Sequence, residues 1–175
     1  MSKLFLIICL SFWGIQDDAN KQIYSAVLNQ YTGSQLIVLK GSTSAWSIND
    51  YNFDYLKTQL VELERETFDA FITANKNSVS INRWITFDER VASIDSVAVS
   101  KMFSEGGGWG QFYEEYKGAN GMLTFSKIGF NKDETQALIY FEKVSDYKAG
   151  VGKVMLFRKS KNSWKSVKST EVWIS

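Results

Sequence analysis

Four apolar-rich runs, Met122–Phe130, Thr135–Val144, Val151–Lys159 and Trp164–Ile174, follow one another in the last third of the chain. Their connections, Asn131-Lys132-Asp133-Glu134, the wider Ser145–Gly150 and Ser160–Ser163, are short and rich in turn formers. Strands joined this closely pair as hairpins, because a parallel pair needs a crossover of a dozen or more residues. The expected product is an antiparallel four-strand meander. In the last run the apolar phase slips between Val167 and the pair Val172 and Ile174, which predicts a bulge or bend near Ser169-Thr170.

The segments before the meander read mostly as helices. Tyr24, Val27, Leu28 and Tyr31 recur at helical spacing behind Asp17-Asp18, with Gly33 as a stop, so Ala19–Tyr31 is an amphipathic helix. Leu36-Ile37-Val38-Leu39 is a continuous branched run, the pattern of a strand covered on both faces. After a loop over Gly41–Asp50, Leu56, Leu60, Leu63, Phe68, Phe71 and Ile72 mark one long helix or two short ones, with Asp54 as a cap. Alternation of Val79, Ile81, Ile85 and Phe87 with polar neighbours predicts a half-buried strand over Val79–Phe87. Asp95 caps a short helix through Phe103, the run Gly106-Gly107-Gly108 breaks the chain, and Trp109–Tyr116 resumes helical spacing. The fold class is therefore α+β, N-terminal helices covering one face of a sheet that ends in the meander.

Composition narrows the chemistry more than it names it. With 45% hydrophobic and 22% charged residues, the 175-residue chain has the make-up of a packed domain. A formal charge of +1 provides no global field for nucleic acid, which is excluded as a partner. Charge is segregated locally: Asp50–Asp69 holds six acids and Lys143–Lys168 eight cations with one acid, both read as solvated faces. There is no His, and the single Cys is Cys9, so imidazole- and thiolate-ligated metals and His- or Cys-dependent nucleophiles are closed. No cofactor is expected. Lys3 followed by the apolar run Leu4–Leu10 has the form of an export signal, read here as residues 1–16, which leaves one domain over 17–175. A buried N-terminal element is the competing reading. In Leu6-Ile7-Ile8-Cys9 a bulky Ile precedes the Cys where a lipoprotein signal has a small residue, so membrane attachment follows only if Cys9 is lipidated. The expected location is periplasmic or secreted, and the mature chain has no disulfide.

Three motifs promise chemistry and do not deliver it. Glu105-Gly106-Gly107-Gly108-Trp109-Gly110 matches neither the dinucleotide fingerprint nor the P-loop and follows no strand. Ser145-Asp146-Tyr147-Lys148 has S-x-x-K spacing but lies in a hairpin connection, away from the helix start that serine acyl enzymes use. Asn131-Lys132-Asp133-Glu134 lacks calcium-loop spacing and reads as a turn. The neighbours Glu114-Glu115 point about 100° apart on a helix and form no facing couple by themselves. Trp109, Phe112, Tyr113 and Tyr116 share one helical face. Trp109, Tyr113 and Tyr116 are the binding candidates, although packing of that helix on the meander is the expected use of the face, with Trp109 in the core.

The order Ile23–Asn29, Leu36–Leu39, Gly108-Trp109 with Phe112-Tyr113, then Gly129-Phe130-Asn131, Thr135–Tyr140, Trp164 and Trp173-Ile174-Ser175, resembles a family of exported bacterial proteins of uncharacterised function. The resemblance spans nearly the whole mature chain and implies a Trp-bearing helix leading into a meander. It carries no catalytic residues. Lys117 stands where that pattern has a Pro, and Ser145–Gly152 lacks most of its glycines. The expectation is an exported non-catalytic domain that binds a protein or a small ligand. Two alternatives are a glycan hydrolase using Glu105, Glu114 or Asp133, which needs two acids about 5–10 Å apart across a cleft, and a structural component of the cell envelope.

Overall fold

A computed structural model of the chain describes residues 16–31, 35–44, 53–87 and 89–175. The expected export signal up to Ile15, with Cys9, the expected Gly33 stop and most of the Gly41–Asp50 loop lie outside them. The first helix, α1, covers residues 16–28. It is followed by β1 (Leu36–Lys40), α2 (Phe53–Gln59), α3 (Arg65–Ala74), β2 (Val91–Ile94), α4 (Ser96–Ser104) and α5 (Gly108–Glu115). The remaining strands are β3 (Ala119–Phe125), β4 (Gly129–Phe130), β5 (Gln136–Asp146), β6 (Ala149–Ser160) and β7 (Ser163–Ile174).

The fold is α+β, with one mixed sheet in the order β2-β1-β3-β5-β6-β7 and β4 paired to β5. Strand β1 lies between two parallel neighbours, β2 and β3. That position explains its continuous apolar run: Ile37, Val38 and Leu39 are all buried, the first and third on one face and the second on the other. From β3 onward the pairing β3-β5-β6-β7 is antiparallel, as the short connections require. The first run of the meander is broken into β3 and β4. At the break Ser126 donates its backbone N–H to the Tyr140 carbonyl at 2.9 Å while its Oγ accepts from Tyr140 N–H at 2.9 Å.

Helices cover both faces of the sheet, not one. Ala19, Ile23, Tyr24, Val27 and Leu28 of α1 pack on Ile139, Phe141, Met155 and Phe157. Leu56, Leu60, Leu63, Phe68 and Phe71 of the α2–α3 segment pack on the opposite side, against Leu138, Tyr140, Val154 and Leu156. Each such side chain contributes about 1.5–3 kcal/mol by leaving water. Alternate residues of β5 and β6 face opposite cores, so both strands are apolar at every position in their centres. On the α2–α3 side, but over β1 and β3, Met102, Trp109 and Phe112 of α4–α5 close a third cluster with Val38 and Ile94.

Local details depart from the sequence expectation in four places. Val79–Phe87 is not a strand; Asn82–Trp84 form a 3-10 turn, and Ile81 and Ile85 enter the core from either side of it. Thr43 N–H donates to the Val79 carbonyl at 2.9 Å, its Oγ1 accepts from Val79 N–H at 3.0 Å and Ile81 N–H donates to the Gly41 carbonyl at 3.1 Å, so the segment makes an isolated antiparallel bridge, Ser42 with Ser80, before the turn begins. Asp54 lies inside the first turn of α2 rather than capping it. The connection Ser145–Gly150 is tighter than expected, since Asp146 pairs with Ala149 and only Tyr147 and Lys148 turn. In β7 the register shifts at Val167 and again at Val172, on either side of Ser169-Thr170, which puts Trp164 and Val172 in different cores. Asp95 does cap α4, its Oδ1 accepting from Val97 N–H at 2.8 Å and Ala98 N–H at 2.9 Å.

Candidate functional site

The aromatic stripe of α5 is mainly a packing surface. Trp109 is 7% exposed and meets Phe103 and Phe112 edge-on, each at 5.1 Å between ring centres. Tyr116 is half-buried, 5.3 Å from Phe112. Tyr113 is the more accessible, 36% exposed, and its hydroxyl donates to the Ser145 carbonyl at 2.7 Å, tying α5 to the β5–β6 turn. Partial burial and the nearby Asp146 raise the Tyr113 phenol above its ordinary pKa. Tyr147 continues this surface, exposed and edge-on to Phe103 at 6.4 Å. The glycine run precedes α5 in backbone shapes that suit glycine, with Gly106 at φ 86° and Gly108 at φ 53°.

The three acids of the hydrolase alternative are exposed and scattered. Glu105 ends α4, Glu114 lies on α5, and Asp133 sits in the β4–β5 turn. Strand β5 runs from the Asp133 turn at Gln136 to Val144 beside α5, roughly 25 Å at the usual rise per residue. Ser145 Oγ donates within its own hairpin, to the Ala149 carbonyl at 3.3 Å. Asn131 Oδ1 accepts from the backbone N–H groups of Thr135 and Gln136, both at 2.9 Å, so the Asn131–Glu134 segment is a side-chain-closed turn. Among the described residues no group of three or more acidic or Cys side chains is placed to hold a metal. None of their helices is long and apolar enough to cross a membrane.

The residues quoted for the C-terminal pattern converge on a structural hub. Gln136 is fully buried; its Oε1 accepts from Glu64 N–H at 2.8 Å and its Nε2 donates to the Glu62 carbonyl at 3.0 Å. Asn131 Nδ2 donates to Glu64 Oε2 at 2.9 Å. Arg158 then reaches Glu62 at 2.9 Å and Glu64 at 3.7 Å, so two ion pairs from one arginine join the acidic and basic segments that the sequence reading left as separate solvated faces. This network fixes the α2–α3 link to the sheet.

A cavity of about 600 Å³ lies elsewhere, under the start of α1. Four separate segments build it: Gln16, Asp17, Asn20 and Tyr24 of α1, Ala74 at the end of α3, the stretch Val79–Trp84, and Lys127-Ile128 between β3 and β4. Trp84 is its aromatic wall. The indole Nε1 donates to Asp17 Oδ1 at 2.9 Å, Tyr24 stacks on the ring at 5.8 Å, and the Arg83 guanidinium lies 4.3 Å from its centre. Arg83 also lies 3.8 Å from Asp17, an exposed pair of small energetic weight. Tyr24 is fully buried, with its hydroxyl donating to the Ser126 carbonyl at 3.0 Å, and burial drives its pKa far up.

Asn20 and Lys127 are the less exposed of the cavity's unpaired polar groups among the described residues. Asn20 is buried as a residue, while its side-chain amide, which makes no hydrogen bond among the described residues, still reaches solvent at the cavity. Lys127 is half-buried, and its ammonium is in no ion pair among them. The backbone at Lys127 is held firmly: Asn75 Nδ2 donates to its carbonyl at 3.0 Å and Asn75 Oδ1 accepts from its N–H at 2.8 Å. None of Trp109, Tyr113, Tyr116, Glu105, Glu114 or Asp133 lines the cavity. Sequence reasoning missed it because no spacing rule links residues 20, 83–84 and 127. The one local sign was the Arg83-Trp84 pair inside a segment expected to be a strand. Compared with known proteins, the chain matches no family model, no curated protein and no solved structure at a significant level.

Proposed function

We propose that this chain is an exported, non-catalytic domain that binds a small ligand in the cavity beside α1. The cavity itself carries the argument: it brings Trp84, Ile128, the Asn20 amide and the Lys127 side chain from distant segments to one concave site. The cavity volume falls within the usual range of roughly 300–1,000 Å³ for ligand sites, and its walls combine the aromatic and apolar surface of Tyr24, Val79, Trp84 and Ile128 with polar and charged groups. Its one carboxylate among the described lining residues, Asp17, is already engaged by Trp84 and Arg83, so the cavity favours binding over acid–base hydrolysis. Lys3 with Leu4–Leu10, and the resemblance to exported bacterial proteins, support the export part of the reading.

Amide chemical-shift mapping with a library of small polar aromatic and aliphatic compounds tests the binding site. Shifts should concentrate on residues 16–24, 79–84 and 127–128. Saturable shifts confined to α5 and the β5–β6 turn would overturn the assignment and move the site to Tyr113 and Tyr147. Intact mass of the protein recovered from its native host tests export: loss of the segment ahead of Asp17 is expected, whereas full-length protein in the cytosol would refute it.

A further inference from the structure

The charges around the cavity define a ligand class, an inference that rests on the binding reading above. Among the described residues three charged side chains line it: Arg83 and Lys127 are cationic, and Asp17 is anionic. Asp17 is not free to attract a cation, because it accepts from Trp84 Nε1 and faces Arg83. Lys127 has no such neighbour, since no acid among the described residues lies within ion-pair distance. The surplus is one positive charge. We propose that the cavity takes a small organic monoanion, a carboxylate with a flat or apolar body. In this pose the carboxylate meets Lys127, the body lies against Val79 and Ile128, and a further polar group reaches the Asn20 amide.

Several features favour this class over a phosphate ester or a cation. A dianionic phosphate would exceed the local surplus of one positive charge. A cation would meet the unpaired Lys127 ammonium in a partly desolvated site, where like charges repel strongly. The guanidinium of Arg83 already covers the Trp84 ring at 4.3 Å, so that aromatic surface is not open to a cationic ligand. A charge-assisted contact to an ammonium is about twice as strong as a neutral hydrogen bond, so charge should dominate selection among ligands of equal size.

The test compares benzoate, benzamide, benzylammonium and phenyl phosphate by amide shift titration against the full-length protein near neutral pH. Benzoate should bind at least about tenfold more tightly than benzamide, which corresponds to about 1.4 kcal/mol, with benzylammonium weakest. Lys127→Gln should bring benzoate down to the benzamide level, Lys127→Arg should keep the preference, and Lys127→Glu should shift it to benzylammonium. Equal affinity for all four probes, with shifts on the cavity residues, would refute the monoanion proposal and leave the binding site standing. A preference for phenyl phosphate over benzoate would also refute it, in favour of a phosphate-bearing ligand. No saturable shift on the cavity residues with any probe would refute both readings. Circular dichroism of the three variants, unchanged from the parent, ties the result to charge at this half-buried position.

Discussion

The seating of α3 on the sheet depends on one missing side chain. A Cβ placed on Gly129 would lie 2.5 Å from the Phe71 Cβ and closer still to the Phe71 backbone N and Cα. Real contacts begin near 3.4 Å, so Gly129→Ala forces α3 outward by about 1 Å. The obstacle is helix backbone, which cannot rotate aside, and the residues that lose contact, Phe68 and Phe71, are buried against Leu138 and Leu156. Overpacking of a dense core costs about 1–3 kcal/mol, and a rigid obstacle puts the expected loss at the top of that range, about 3 kcal/mol. With a urea slope of about 2 kcal/mol per molar, the unfolding midpoint should fall by about 1.5 M. Gly110→Ala is the matched control. Gly110 is exposed within α5 and has open space around an added Cβ, so the same substitution should stabilise by about 0.5–1 kcal/mol. A Gly129→Ala midpoint equal to the parent's, or a shift of the same sign in both variants, would refute the α3 placement.

Other expected outcomes are open to direct measurement. Trp109→Ala should cost about 3–5 kcal/mol by denaturant melting, since the ring is 7% exposed; a loss below about 0.5 kcal/mol would mean a surface residue. Gln136→Leu leaves the Glu64 N–H without its acceptor and should cost about 1–3 kcal/mol, seen as a lowered urea midpoint. Burial raises the Tyr24 phenol above its ordinary 10.0, so the folded chain keeps a proton that the unfolded chain releases. Stability is full below pH 10 and falls as pH rises beyond it; melts from about pH 8 to about pH 11 should show the decline, and Tyr24→Phe should flatten it.

The meander was legible because each of its hairpins is a local event, set by neighbouring runs and the turn formers between them. The continuous run in β1 and the Asp95 cap were readable for the same reason, since burial on both faces and an N-cap each leave a mark within a few residues. The four residues Val91–Ile94 carry no such mark. They become a strand only because Ile37–Lys40 offer a parallel edge more than fifty positions earlier. Val79–Phe87 has the alternation of a strand, yet its pairing stops at the Ser42–Ser80 bridge, and Ile81 and Ile85 reach the core around a turn. The aromatic stripe of α5 was visible as a pattern, but the choice between core and surface was made residue by residue, by α4 over Trp109 and by the Ser145 carbonyl at Tyr113. The cavity is furthest from the sequence. Asn20, Trp84 and Lys127 meet only after α1 has packed on one face of the sheet and Asn75 has fixed the backbone at Lys127. Local periodicity encodes which segments become helix or strand, whereas a concave site is the space left where distant segments fail to fill the volume between them, and that volume exists only in three dimensions.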